Sequence, residues 1–250
     1  RETFQHLSLV DPSAGETEIL AEAAQARTAT TFSDKVDRIY AAIDYEKLSR
    51  RFFETALECK EQLTDEVVRA LNLPKSQRDI ASHFSIITMA RLVFVHFLEK
   101  RGLLDGNQHF VRERVIGTEE TEPSADLWQR LFTPLFKILS VPYSQRGAGP
   151  FKTSKLPYLN GGLFIKYAPI EGRRDASRLS FSDEALVRFH KDCLYKYRLV
   201  PTEEHKDGQS RGVLDAELLG TMFERFMKDD LSAATGSVYT PKDVVLFVVR

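Results

Sequence analysis

The chain has 250 residues, 42% hydrophobic and 28% charged, with a formal net charge of −1. That composition suits a globular protein large enough to bury a core unaided, as one large domain or two small ones; the balanced charge supplies no overall field for nucleic acid or anionic membrane, so any DNA contact has to come from local patches. Cys59 and Cys193 stand far apart at no metal or redox spacing, which fits a reducing cytoplasm, and without a charged-then-apolar leader or an unbroken apolar run of about 18 residues the expectation is a soluble, cytoplasmic protein with no membrane partner.

Residues 1–33 are loosely patterned: DPSAGETE reads as a turn and the Ala-rich ILAEAAQA as a short helix or the tail of a preceding segment. From Asp34 the signal is helical. Val36, Ile39, Tyr40 and Ile43, then Leu48, Phe52, Phe53 and Leu57, recur at three- and four-residue intervals up to the punctuation at Pro74. Ser76 then predicts the cap of a long core helix in which Ile80, Phe84, Ile87, Arg91, Phe94 and Leu98 keep one period, closed by Lys100, Arg101 and a stop at Gly102. Ser124 and Asp126 open ADLWQRLFTPLFKILS, which Pro134 is expected to kink or divide.

From VPYSQRG to EGRRD the texture becomes rich in Gly and Pro, predicting a long ordered loop with a short hairpin around Leu163 to Tyr167. Ser182, Asp183 and Glu184 start the helix EALVRFHKDCLYKYRL, PTEEHKDGQSRG reads as a surface loop or hairpin, and two final helices are predicted over roughly 215–231 and from Pro241. In the closing GSVYTPKDVVLFVVR, Thr240 suits an N-cap, Pro241 the first helical position and Asp243 the third, and the residues from Val244 to Val249 are apolar nearly all round. A helix covered on most sides is expected there, as in a chain cut from something larger.

Phosphate-cradling Gly-rich signatures are absent, which argues against a nucleotide triphosphatase. Asp44, Glu58 and Lys60 imitate the acidic-and-lysine grouping of Mg²⁺-dependent nucleases, but hard cations need ligands from converging segments and these three read as one helix with surface i,i+4 pairing. Of six histidines none has a second His or Cys at ligand spacing, and His83 reads as a hydrogen-bonded core residue. No metal site is expected. In RFHKDCLYKYR, Lys191, Lys196 and Arg198 join Arg188 between aromatics, and Arg173 and Arg174 form a second basic patch; both suit phosphate contacts, while a solvated basic face over an aromatic stripe is the better account of the first.

Four stretches in order, ARLVFVHFLEKRGLLDG, YLNGGLF, LDAELLGTMFERFM and GSVYTPKDVV, resemble the helical segment that precedes and then enters the methyltransferase domain of single-chain Type IIG restriction–modification enzymes and their adenine-N6 DNA methyltransferase relatives. The resemblance runs from about Ser33 to the end. It implies a mainly α fold: a tail over 1–33, a multi-helix connector over 34–212 containing the Gly/Pro-rich loop, and over 213–250 the first helix of a truncated α/β methyltransferase domain. It puts Tyr239, Thr240 and Pro241 at the edge of an S-adenosylmethionine pocket, at a capped helix N-terminus suited to the methionine carboxylate.

The Gly-rich cofactor loop and the Asn-Pro-Pro-aromatic motif of that family are missing, since none of Asn72, Asn107 and Asn160 precedes a Pro. The resemblance therefore implies a parent that methylates adenine in double-stranded DNA, within a restriction–modification or phage-defence system, and a stretch that is inactive alone. Its partners are duplex DNA and the remaining nuclease and methyltransferase domains. Two rivals remain: a helical spacer of a helicase-coupled restriction enzyme, and a non-enzymatic protein-binding scaffold. The YLNGGLF loop is expected to lie against the helix 214–227.

Overall fold

The computed structural model describes residues 14–32, 34–35, 45–118, 122–147, 151, 156–159, 162–199, 213–214, 220 and 222–226. These fall into two compact units: one holds the described residues up to Ala56 and from Asp192 through Arg225, the other those from Leu57 to Lys191 together with Phe226. Both are built from helices, so the mainly α expectation stands. The final helix from Pro241 lies outside the described residues, and of 213–250, read as the start of a methyltransferase domain, only 213–214, 220 and 222–226 are described.

In the first unit, α1 (Ala14–Ala24) runs into a 3₁₀ turn, Gln25–Thr28. Glu18 and Glu22 hold Arg51 at 3.3 and 2.9 Å, and Glu18 also takes Lys196 at 2.7 Å. The ring of Tyr197 meets Phe52 edge-on at 5.4 Å, and burial pushes its phenol well above the usual range. Strands β1 (Arg198–Leu199) and β2 (Val213–Leu214) pair in parallel, and the stretch PTEEHKDGQSRG between them, read as a surface loop or hairpin, lies outside the described residues.

Helix α2 (Tyr45–Ala70) begins in the first unit and ends in the second. Its buried stripe is Phe52, Ala56, Cys59, Leu63 and Val67, whereas Leu57 is 41% exposed. Over the described residues from Phe52 the period holds and its phase is off by a residue, because two adjacent phenylalanines offer two equally apolar starting points; Val36, Ile39, Tyr40 and Ile43 lie outside the described residues. Asn72, at φ 46°, closes the helix: Leu73 N–H donates to Val68 O and Asn72 N–H to Arg69 O, a Schellman closure.

After a 3₁₀ turn, Lys75–Gln77, helix α3 (Arg78–Lys100) forms the centre of the second unit. Ser76 makes no cap bond, since it lies inside that turn and the chain enters α3 through Gln77. Arg78 instead bridges back to Asp65 at 2.6 Å and Glu61 at 2.9 Å on α2. The helix is buried on several sides, from Ala81 and Phe84 through Met89, Leu92 and Val95 to Leu98, while Phe94, assigned to the core stripe, is exposed. Gly102, at φ 65°, stops it as predicted, in a second Schellman closure. By length and composition Lys75–Lys100 also passes as a membrane span, and 67% of the apolar window is buried within the chain, as in a core helix.

Helix α4 (Phe110–Val115) is followed by a π-helical turn, Trp128–Phe132, that leads directly into α5 (Thr133–Leu139). Pro134 sits in the first turn of α5, so its missing N–H falls where the wide π turn has already shifted the hydrogen bonding. Short turns then carry the chain: Tyr143–Gln145, Gly162–Phe164, α6 (Ala168–Glu171) and Ala176–Arg178. The hairpin expected at Leu163 to Tyr167 is in fact a 3₁₀ turn followed by α6. Helix α7 (Asp183–Phe189) starts at Ser182, whose Oγ accepts from Ala185 N–H, and continues into a second π turn, His190–Leu194.

Candidate functional site

The turn Gly162–Phe164 is held by one buried residue. Arg91, on α3, is 1% exposed. Its Nε donates to Leu163 O and Nη2 to Ile165 O, both at 2.8 Å, while Nη1 and Nη2 meet the Glu171 carboxylate at 3.1 and 3.0 Å. Glu171 also accepts from Tyr167 N–H at 2.6 Å. The guanidinium faces the ring of Phe136 on α5, 5.6 Å from its centroid. A fork of fixed donors serves two carbonyls and a carboxylate together, which an ammonium could not do. Leu159 N–H further donates to Leu139 O at 2.8 Å, so the described bonds of the YLNGGLF loop run to α3 and α5, while much of the helix 214–227, against which the loop was expected to lie, is outside the described residues.

Arg146 repeats this device further out: its three nitrogens donate to Val141 O, Leu156 O and Pro157 O, at 3.1, 2.7 and 2.9 Å, and its guanidinium stacks on Tyr143. Ring contacts fill the space between. Phe164 meets Phe136 at 5.6 Å and Phe94 at 6.0 Å, and Phe181 meets Trp128 at 4.6 Å and Phe84 at 6.3 Å.

Near the end of α3, Glu99 is fully buried and accepts from Val111 N–H at 2.6 Å and Arg112 N–H at 2.8 Å, capping α4 from outside. His96 Nδ1 donates to its other oxygen at 3.2 Å. Burial opposes ionisation of Glu99, yet the hydrogen bonds from His96 and from Arg112 and Val111 hold its carboxyl below the usual range. His96 is itself depressed, by burial first. His190, whose Nδ1 donates to Leu186 O at 2.7 Å and whose ring stacks on Phe132, is pushed down to about 4 by burial. His83, read as the core histidine, is half-buried with its ring against Tyr167; His96 and His190 are the buried ones.

Among the described residues no group of three or more His, Cys, Asp or Glu is placed to hold a metal, and Cys59 and Cys193 are buried free thiols. Glu58 pairs with Arg188, while Lys60 is buried beside Glu61 and over Phe226; Asp44 lies outside the described residues. Of the residues read as DNA contacts, Arg173 is held by Asp175 at 2.9 Å, which keeps that carboxyl below its ordinary range, and Arg174 is exposed. Lys191 is exposed and Lys196 is paired with Glu18. Arg198 is described through its backbone in β1. Arg173, Arg174 and Lys191 belong to one unit, Lys196 and Arg198 to the other. Tyr239, Thr240 and Pro241 lie outside the described residues.

In the sequence Arg91 reads only as a member of the helix stripe, and Glu99, Arg146 and Glu171 are given no role. Their signal was present: Arg91 and Glu99 are charges inside an otherwise apolar helical pattern, and a charge on a buried face needs a partner.

No family model matches the chain, and no solved structure does. The chain is similar to a protein of Methanocaldococcus jannaschii described as a candidate type II restriction enzyme and methyltransferase, with 23% identity over 177 residues. The match covers 67% of this chain and 14% of that protein's length.

Proposed function

We propose that the chain is the helical segment of a site-specific DNA adenine-N6 methyltransferase of the Type IIG kind, in a restriction–modification or phage-defence system. It positions duplex DNA and links nuclease and methyltransferase domains. The observation that carries this reading is the likeness, over 177 residues, to the restriction-and-methylation protein of M. jannaschii. The stretch involved is a small share of that protein, which suits a positioning element more than a whole catalytic domain. The order of the four motifs from Ala90 to Val245 gives independent support.

The described geometry fits positioning. Arg91 and Arg146 make an irregular, Gly/Pro-rich segment rigid by satisfying its carbonyls from side chains, and a rigid scaffold with phosphate contacts sets register on a duplex without reading bases. On this reading Arg173, Arg174, Lys191, Lys196 and Arg198 contribute phosphate contacts, and Tyr239, Thr240 and Pro241 edge the S-adenosylmethionine pocket, the cofactor supplying the methyl group. Such a protein works in the cytoplasm.

The test pairs two titrations of the 250-residue chain. Duplex DNA binding is expected to weaken steeply as salt rises, with no saturable uptake of S-adenosylmethionine and no methyl transfer. A salt-independent or absent DNA response overturns the positioning role; robust cofactor binding overturns the division of labour.

A further inference from the structure

The net charge of −1 conceals a division inside the second unit. From Leu57 to Asp126 there are nine Lys and Arg against twelve Asp and Glu; from Leu127 to Lys191 there are eleven against four. Three of those four acids are already engaged. Glu171 holds Arg91, Asp175 holds Arg173, and Asp183 accepts from Asp126 N–H and Leu127 N–H at 2.8 and 2.7 Å. Arg130, Lys137, Lys166, Arg174 and Lys191 are exposed, and among the described residues none of them enters an ion pair.

These five cations ride on segments fastened to one another. Lys137 follows Phe136, whose ring meets Phe164 in the turn that precedes Lys166. Arg174 follows α6, tied through Glu171 to the same Arg91 that holds Leu163 and Ile165. Lys191 adjoins His190, whose ring stacks at 5.2 Å on Phe132, two residues after Arg130. Protein–protein interfaces are depleted in lysine and centred on aromatic anchors. Scattered, unpaired cations over rigid segments match the evenly spaced charges of a phosphate backbone instead.

We propose that the half of the unit from Leu127 to Lys191, presenting Arg130, Lys137, Lys166, Arg174 and Lys191, is a seat for the phosphate backbone of duplex DNA. It rests on the DNA reading above, keeps Arg174 and Lys191 from the two local patches and adds Arg130, Lys137 and Lys166. The acid-rich half, Leu57 to Asp126, is not part of the seat.

The experiment measures fluorescence anisotropy of a mixed-sequence duplex of roughly 30 base pairs across a salt series, using the full chain. The variants are the triple Arg130→Gln, Lys137→Gln, Lys166→Gln and, as control on the acid-rich half, the double Arg69→Gln, Lys75→Gln; unchanged circular dichroism and melting temperature verify folding. The triple variant is expected to bind about tenfold or more weakly at low salt and to flatten the log–log salt slope by about 2–3, with the double variant unchanged. If the wild type binds duplex DNA and the triple variant keeps its affinity and slope, the seat is overturned while the DNA reading survives. If the wild type does not bind duplex DNA at all, both fail. Displacement of the duplex by poly-glutamate as effective as by unlabelled duplex, at equal charge, overturns the seat in favour of an acidic polypeptide partner.

Discussion

Helices α2 and α3 and the irregular segment from Ser140 to Phe181 solve the same problem in opposite ways. In the helices the backbone satisfies itself, and the side chains are free to dock by apolar stripes such as Cys59, Leu63 and Val67. In the irregular segment the backbone is left with spare carbonyls, and arginine side chains take them: Arg91 those of Leu163 and Ile165, Arg146 those of Val141, Leu156 and Pro157. One region is held by many small interchangeable contacts, the other by a few irreplaceable ones. Tolerance to substitution should differ accordingly.

The sharpest way to break this comparison is Arg91→Met. A buried pair that loses one partner leaves an uncompensated charge, and a loss of about 3–5 kcal/mol is expected from urea unfolding, since Glu171 and two carbonyls are stranded together. Arg91→Lys keeps the charge but not the fork, so it should recover only part of that loss. By contrast Leu63→Met on α2, a swap of similar volume on the buried stripe, is expected to cost less than about 1.5 kcal/mol. Equal costs for Arg91→Met and Leu63→Met would erase the distinction drawn here.

Next in size is Glu99→Ala, which removes the acceptor for two backbone N–H groups of α4 and a partner of His96 in a fully buried place. A cost of roughly 2–4 kcal/mol follows from unsatisfied buried donors. Glu99→Gln keeps one acceptor and should cost less.

Acid weakens the same region. Burial pushes His190 down to about 4 in the folded chain, from an ordinary 6.5. The unfolded chain therefore binds a proton between those pH values that the folded chain refuses. The stabilisation is complete above about pH 6.5 and is lost as pH falls towards 4; His96, also depressed, acts in the same direction. Glu99, depressed below its ordinary value, adds a further loss at lower pH still. Urea midpoints measured down through this window should fall, and His190→Phe, keeping an aromatic ring against Phe132, should flatten the descent. An unchanged slope in that variant would mean that His190 is not the group being titrated.

How far the sequence could be read follows the same divide. The long helices and their stops at Asn72 and Gly102 lie close to where periodicity and punctuation put them, because local chemistry decides them. The turn at Gly162–Phe164 was misread as a hairpin because its conformation is set by Arg91, 72 residues away for Leu163 and 74 for Ile165. The start of the π turn at Trp128 was assigned to Ser124 and Asp126, whereas the carboxylate that caps it belongs to Asp183. Both are long-range bonds of single side chains, which no window of neighbouring residues contains. The charge division at Asp126 was legible throughout, and a whole-chain total concealed it.

The smallest expected effect concerns a site where local and distant signals coincide. Ser182 caps α7 through its Oγ, as the sequence predicted, and the same residue is held by α2: its N–H and hydroxyl donate to Glu66 at 2.8 and 2.7 Å. An ordinary N-cap loss costs about 1 kcal/mol. Ser182→Ala removes the cap and the hydroxyl bond to Glu66 but leaves the backbone bond, and the site is exposed, so water can replace much of what is lost. The expected cost is about 1 kcal/mol, with Ser182→Asp falling below Ser182→Ala in stability, since a second carboxylate would face Glu66 and like charges at contact repel. If Asp were instead as good a cap here as Ser, as it is at isolated helix ends, the bond to Glu66 would contribute nothing, and the coupling of α7 to α2 would rest on the pairing of Arg188 with Glu58 and Gln62. Chemical denaturation of Ser182→Asp, alone and combined with Glu66→Gln, separates the two, because only the first account makes the second substitution restorative.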